Sequence, residues 1–280
     1  MNDLLDFARE LGREAGRQLQ DWRGRAAVSI KGDGSVVTEA DREVDRYLRQ
    51  QIRARYPEHG ILSEEAETVY EGRPLTWVID PLDGTTNYAL GICYWGCSIA
   101  LVSNGVPVVG VLVMPELSPA YAGMLHGAEF WALRGAGAFL NGERLGGPPR
   151  GVSERNSFFA ICSRTWRFLD LPLRYKGRLL GSAAYDLAAV AQGIAVGCTQ
   201  VTSHIWDLAA GWLLLQESGR AVAPLFLGAP DPFPMVAGED YAGKVFPLAA
   251  AADERILQQV RSRVRIKPEA QGRLTKWTRE

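Results

Sequence analysis

Apolar residues recur at steps of three and four from the start of the chain. Leu4, Ala8, Leu11, Ala15, Leu19 and Trp22 fall on one face, which predicts a first helix with a single buried side. A loop follows, with Gly32, Asp33 and Gly34 inside the stretch 30–37. Thr38 stands where it can cap a second helix. Asp41 takes the capping-box position three residues on, and Val44, Tyr47, Leu48 and Ile52 supply the buried stripe. Pro57 and Gly60 end that helix. From Trp77 the period shortens to strand-like runs at 77–80, 97–103, 106–114, 120–126 and 129–134. Asn104-Gly105 sits between two of them, and a type I′ turn needs positive φ at both central residues, so an antiparallel meander is expected. Beyond Ser157 the elements alternate: strand 158–162, helix 182–192, strand 194–201, helix 206–218, strands 220–223 and 247–251, helix 253–264. Two helices, a sheet and then alternating elements predict layered helices and sheets in an α+β chain. The expected division is 1–150 with the helix pair and antiparallel sheet, 151–264 with the alternating part, and a basic tail at 265–280.

Composition changes this picture little. Across 280 residues, hydrophobic side chains make up 47% and charged ones 22%, which excludes disordered, collagen-like and coiled-coil classes. With 31 Lys and Arg against 32 Asp and Glu, no global field draws the chain to nucleic acid or to a membrane. The last twenty residues are locally basic, with seven Lys or Arg against two Glu, and read as a solvated tail. The opening Met1-Asn2-Asp3 leads straight into the amphipathic helix, and the apolar stretch 208–215 is far shorter than the roughly 20 residues a membrane span needs. No signal peptide, no membrane contact and a cytoplasmic location are expected. Cys93, Cys97, Cys162 and Cys198 form no C-x-x-C pair and are expected as free thiols.

The candidate chemistry lies where apolar runs end in acids. Asp80-Pro81-Leu82-Asp83-Gly84-Thr85-Thr86-Asn87 closes one strand, and a turn at Pro81 would let Asp80, the Leu82 carbonyl and Asp83 converge. Hard oxygen donors suit Mg²⁺, whereas zinc sites favour His and Cys. The Gly84-Thr85-Thr86 segment can open a helix whose free N–H groups face an anion such as phosphate. Glu64-Glu65 ends another apolar segment, and Asp207 stands at a helix start. Each acid has a plain structural alternative: Asp-Gly is a common turn dipeptide, Glu64-Glu65 can be a charged turn, and Asp207 can cap a helix. His59, His126 and His204 are scattered, so no histidine-activated nucleophile competes as the chemistry.

The order and spacing of these acids resemble the inositol monophosphatase family from the first helix to about Gly219. Asp41 in VVTEAD, Glu64 in SEE, WVIDPLDGTTN from Trp77, GSAAYDLAAVAQG from Gly181 and WDLAAG from Trp206 carry the resemblance. It implies a layered α-β-α-β-α sandwich, usually a homodimer, that hydrolyses a small phosphate monoester, is inhibited by lithium and uses about two or three Mg²⁺ per subunit. By the same resemblance Glu64, Asp80, the Leu82 carbonyl and Asp83 hold metal, and Asp207 completes a second site. Asp41 acts at a third, weaker site, and Thr85 orients the attacking water. The Gly84 and Thr85 amides hold phosphate, with Ser182, Ala183 and Gln200 as substrate-side contacts. Two metals roughly 4 Å apart activate water and stabilise both the attacking and leaving oxygens, so no covalent intermediate is needed.

One departure bears on substrate. Inositol phosphatases usually carry a glutamate seven residues before the WD aspartate, and here that residue is Gln200. An amide donates and accepts hydrogen bonds but carries no charge. Fructose 1,6-bisphosphate, histidinol phosphate and nucleotide 3′-phosphates are therefore alternative substrates. RNA or partner binding through the basic tail is the alternative of a different class.

Overall fold

A computed structural model describes residues 1–32, 34–117, 127–148, 156–226, 228–229 and 231–270. The strand expected at 120–126 and the end of the basic tail, 271–280, lie outside the described residues.

Helix α1 (Asn2–Trp22) buries Leu5, Ala8, Leu11, Ala15 and Leu19, the face its periodicity marks. Strands β1 (Val28–Ile30) and β2 (Val36–Thr38) form a hairpin that leads into α2 (Glu39–Arg55). The capping box opens α2: the Thr38 amide and hydroxyl both donate to Asp41 Oδ2, at 2.8 and 2.6 Å.

The first large sheet contains β3 (Gly60–Ser63) and β4 (Leu75–Asp83). After the short helix α3 (Thr85–Leu90) come β5 (Gly96–Ser103), β6 (Val106–Met114), β7 (Ala128–Leu133), β8 (Gly137–Leu140) and β9 (Glu143–Arg144). These seven strands lie side by side in chain order, antiparallel throughout except for the parallel pair β3–β4. Asn104 and Gly105 have φ of 48° and 78°, as the hairpin between β5 and β6 requires. Alternation along β4 and β5 divides the core. Trp77, Ile79, Ile99 and Leu101 pack with α1 and α2, while Val78, Ala100 and Val102 face the opposite layer.

The later elements are β10 (Phe158–Ile161), α4 (Ser163–Phe168), β11 (Leu169–Asp170), β12 (Lys176–Arg178), α5 (Ala183–Gln192), β13 (Ala195–Gln200), α6 (Ile205–Glu217), β14 (Ala221–Pro224), β15 (Leu248–Ala251), α7 (Glu254–Arg263) and β16 (Arg265–Ile266). A second sheet runs β12-β10-β13-β15-β14. Strand β10 is parallel to both neighbours, and β15 is antiparallel to both of its own. Helices α5 and α6 fill the space between the sheets, which is why Leu187, Val190, Leu208, Leu213, Leu214 and Leu215 are buried on several sides rather than along one stripe. Helix α7 covers the outer face of the second sheet through Ile256, Leu257 and Val260. The layers are thus α-β-α-β-α, as expected. Helix α4 and strands β11 and β12 were not foreseen, because two to six residues are too few to display a period.

No helix among the described residues is long and apolar enough to cross a membrane, and the four cysteines form no disulfide.

Candidate active site

The expected turn at Pro81 does not form. Strand β4 continues to Asp83, and its register against β5 shifts between Asp80 and Asp83. Residues three apart in a regular strand face opposite sides, so this bulge is what lets Asp80 and Asp83 line one cavity. Glu64 arrives from the neighbouring strand. The parallel pairing of β3 with β4, continued by the Glu64 amide donating to the Ile79 carbonyl at 3.2 Å, sets it beside Asp80. Asp207 comes from the first turn of α6, where its Oδ2 accepts the His204 amide at 2.8 Å. Glu64, Asp80 and Asp207 each present one carboxylate oxygen within 4.8 Å of the others. Burial raises the Asp80 and Asp207 carboxyls well above the usual range. Glu64 and Asp83 add to the rise at both, and Asp80 and Asp207 reinforce it at Asp80. An all-oxygen set that repels itself in this way fits a hard divalent cation, which removes the repulsion.

Asp83 lies next to this trio with its oxygens directed elsewhere. Its carboxylate accepts hydrogen bonds from the Ser182 hydroxyl, the Ala183 amide at 3.1 Å and the Ala184 amide at 3.2 Å, and so closes the amino end of α5. Burial raises its carboxyl to about 6, against the lowering effect of those three donors. Ser182 and Ala183, expected on the substrate, thus point their donors at Asp83. Asp41 also stands outside the trio, buried, with Oδ2 held by Thr38 and Oδ1 3.2 Å from the Thr85 hydroxyl. Thr85 Oγ1 lies 2.9 Å from the Leu82 carbonyl as well, so one hydroxyl proton serves two acceptors. Gly84 precedes α3 with φ of 83°, and a Cβ there would lie 2.6 Å from the Tyr94 carbonyl. Only glycine fits this corner.

Other site residues escaped sequence reasoning. Lys31, on the hairpin between β1 and β2, places Nζ 2.9 Å from Glu64 and 2.6 Å from Glu65. Burial alone would lower its pKa, but the two carboxylates together raise it. Nothing in local sequence ties residue 31 to residues 64 and 65. Arg164, in the first turn of α4, lines both the cavity above the carboxylates, ≈400 Å³, and an adjoining one of ≈320 Å³. Gln200 lines the adjoining cavity at the end of β13. It donates through Nε2 to Asp186 Oδ2 at 2.6 Å, and burial pushes the Asp186 carboxyl well up. Asp186 lies within the Gly181 motif, and a buried acid four residues past a helix cap was the available signal. A larger cavity of ≈580 Å³ lies against α1, remote from this chemistry. Its Arg9 and Arg13 pair with Glu129, and its Arg17 pairs with Glu14 and Asp21.

A sandwich of this layering with a converging carboxylate site defines a metal-dependent phosphatase. The sequence profile of the Inositol monophosphatase family matches residues 1–265, and the chain belongs to that family. The "Fructose-1,6-bisphosphatase/inositol-1-monophosphatase" of Thermotoga maritima is 33% identical over 79% of this chain and 84% of that protein. The "Nus factor SuhB" of Pasteurella multocida is 32% identical over 79% of this chain and 85% of its own length. Among solved structures, a Thermotoga maritima IMPase superimposes with a TM-score of 0.74 at 28% identity, covering 93% of this chain and 97% of the other. The protein is a hydrolase of phosphate monoesters.

Proposed function

We propose that the protein hydrolyses the phosphate monoester of a small hydroxylated alcohol, inositol monophosphate-like, with Mg²⁺ as its cation. The observation that carries this reading is the meeting of Glu64, Asp80 and Asp207 beside the Gly84-Thr85 corner. Glu64, Asp80, Asp207, the Leu82 carbonyl and Asp83 would hold the ions. When bound, a hard divalent cation acidifies the water it holds and offsets negative charge on the phosphoryl oxygens. The Gly84 and Thr85 amides hold the phosphate, and Arg164 supplies an opposing charge from the shared wall of the two cavities. Thr85 orients the attacking water. Its Oγ1 accepts a water proton while passing its own to Asp41 Oδ1, a carboxyl whose burial makes it a better base. For Asp83 to turn toward a cation, it must release part of its hold on α5, and the Ser182 hydroxyl and Ala183 amide then become free for substrate.

We also propose a cytoplasmic homodimer. Leu90, Ile92 and Leu179 are exposed, and their segments are tied by Asn87, which donates to the Tyr94 and Leu180 carbonyls. The division into 1–150, 151–264 and a tail at 265–280 is supported by the separate hydrogen bonding of the two sheets. A second role, RNA or protein contact through the basic tail, is favoured by the Nus factor relative. Removing residues 271–280 should then weaken RNA or partner binding without altering phosphate release.

The reading is tested by phosphate release from inositol 1-phosphate, glycerol 2-phosphate, fructose 1,6-bisphosphate and histidinol phosphate, before and after EDTA. Turnover that disappears with EDTA, returns with Mg²⁺ and is depressed by Li⁺ is the expected result. Undiminished activity in EDTA would overturn it.

A further inference from the structure

Sequence comparison within the family puts a hydroxyl-binding carboxylate at position 200, and this chain has an amide there. The structure shows where a carboxylate faces the leaving-group side. Asp186 is 1% exposed, and only its Oδ2 has a partner, the Gln200 Nε2. Its Oδ1 is buried with no hydrogen-bond partner among the described residues, and the residue lines the ≈320 Å³ cavity that also includes Gln200, Ser182 and Asp83. A buried carboxylate oxygen without a donor is costly, so the arrangement is complete only when something supplies one. The contact also fixes the amide: with one N–H given to Asp186, Gln200 keeps its carbonyl oxygen as a second acceptor.

We infer that Asp186 and Gln200 together form the specificity floor of the leaving-group cavity, Asp186 orienting the Gln200 amide and the pair accepting hydrogen bonds from the substrate alcohol. The class selected is a phosphate ester whose alcohol carries further hydroxyl donors at a distance from the ester. A second phosphate in the same place would meet two acceptors and is disfavoured. The inference rests on the phosphatase reading above and adds which groups read the alcohol. It also changes the expectation for Gln200→Glu, because that substitution sets two buried carboxyls against each other rather than restoring a reader.

The test compares wild type, Asp186→Asn and Gln200→Met on inositol 1-phosphate and on propyl phosphate, which has no hydroxyl, with kcat and KM determined separately and folding checked by thermal melts. In both variants the ratio of kcat/KM for inositol 1-phosphate to that for propyl phosphate should fall about tenfold, the loss expected when one hydrogen-bonded reader is removed. Most of the change should appear in KM. An unchanged ratio in a folded variant overturns the inference, as does a fall shared equally by both esters. If Asp186→Asn does not fold, Gln200→Met decides alone. Absence of turnover by wild type on either ester with Mg²⁺ would instead refute the phosphatase reading, and this inference with it.

Discussion

Asp80 accepts a single hydrogen bond, from the Leu82 amide at 3.0 Å, while facing Glu64, Asp83 and Asp207. Asp80→Asn keeps the shape, retains an oxygen for that amide and removes one charge from a mutually repelling group. The metal-free protein should therefore melt about 2–4 °C higher, the shift that roughly 1 kcal/mol produces at this size, while turnover falls at least about 100-fold. Calorimetry in EDTA and phosphate release check the two halves separately. Asp83→Asn also loses activity, but it weakens the clamp on α5 and should not share the gain in stability. The raised carboxyls also set the sign of a pH effect. A folded pKa above the unfolded value means that the folded chain binds protons more tightly, so stability is greatest below the unfolded pKa and declines as pH rises through the folded one. For Asp83 that decline runs from 3.8 to about 6, and for Asp80 and Asp207 it extends higher. In EDTA the melting temperature should rise as pH falls from 8 to about 6, and Mg²⁺ should flatten the slope. A melting temperature that falls with pH in EDTA would show that these carboxyls do not dominate.

The element that positions most of the site is the carboxyl end of β4, and Gly84 is its corner. Gly84→Ala combines a left-handed φ of 83° with a Cβ 2.6 Å from the Tyr94 carbonyl. The cost is about 2 kcal/mol or more, so the melt should drop by about 5 °C or more, with activity lost because Thr85 and α3 shift. The start of α5 offers a milder test. The Ser182 hydroxyl donates to Asp83 and accepts the Tyr185 amide at 3.2 Å. Ser182→Ala should cost about 1 kcal/mol, a typical lost cap, as read by urea denaturation. These elements were largely legible beforehand. The Thr38–Asp41 capping box, the Asn104-Gly105 hairpin and the fully apolar α6 all rest on interactions within a few residues. The Pro81 turn was misread for the opposite reason: whether the chain turns or bulges there depends on β5, which pairs beside it.

At the scale of the whole molecule, the exposed apolar side chains are informative. Leu90, Ile92 and Leu179 are 71%, 43% and 52% exposed on neighbouring segments, an arrangement that suits a subunit contact. Light scattering should return about twice the 30.7 kDa chain mass, and Leu90→Asp with Leu179→Asp should return it to the single-chain value. A wild-type mass of one chain at micromolar concentration would remove the proposed dimer.

What the sequence determined by itself was the set of acids and their sites of attachment: Glu64 at a strand end, Asp80 and Asp83 around Pro81, Asp207 at a helix start, and the glycine that no other residue can replace. Those features are local, written in periodicity, caps and turn chemistry. Their convergence is not local. Only the parallel pairing of β3 with β4, the bulge against β5 and the packing of α6 across the sheet bring Glu64, Asp80 and Asp207 within 4.8 Å. The same holds for partners that no spacing announces. Lys31 reaches Glu64 across 33 residues, and Gln200 reaches Asp186 from a different element. Side-chain charge and hydrogen-bonding capacity are properties of each residue alone, but the neighbour that satisfies them, or leaves one oxygen of Asp186 without a donor, is chosen by the packing of the two sheets around α5 and α6.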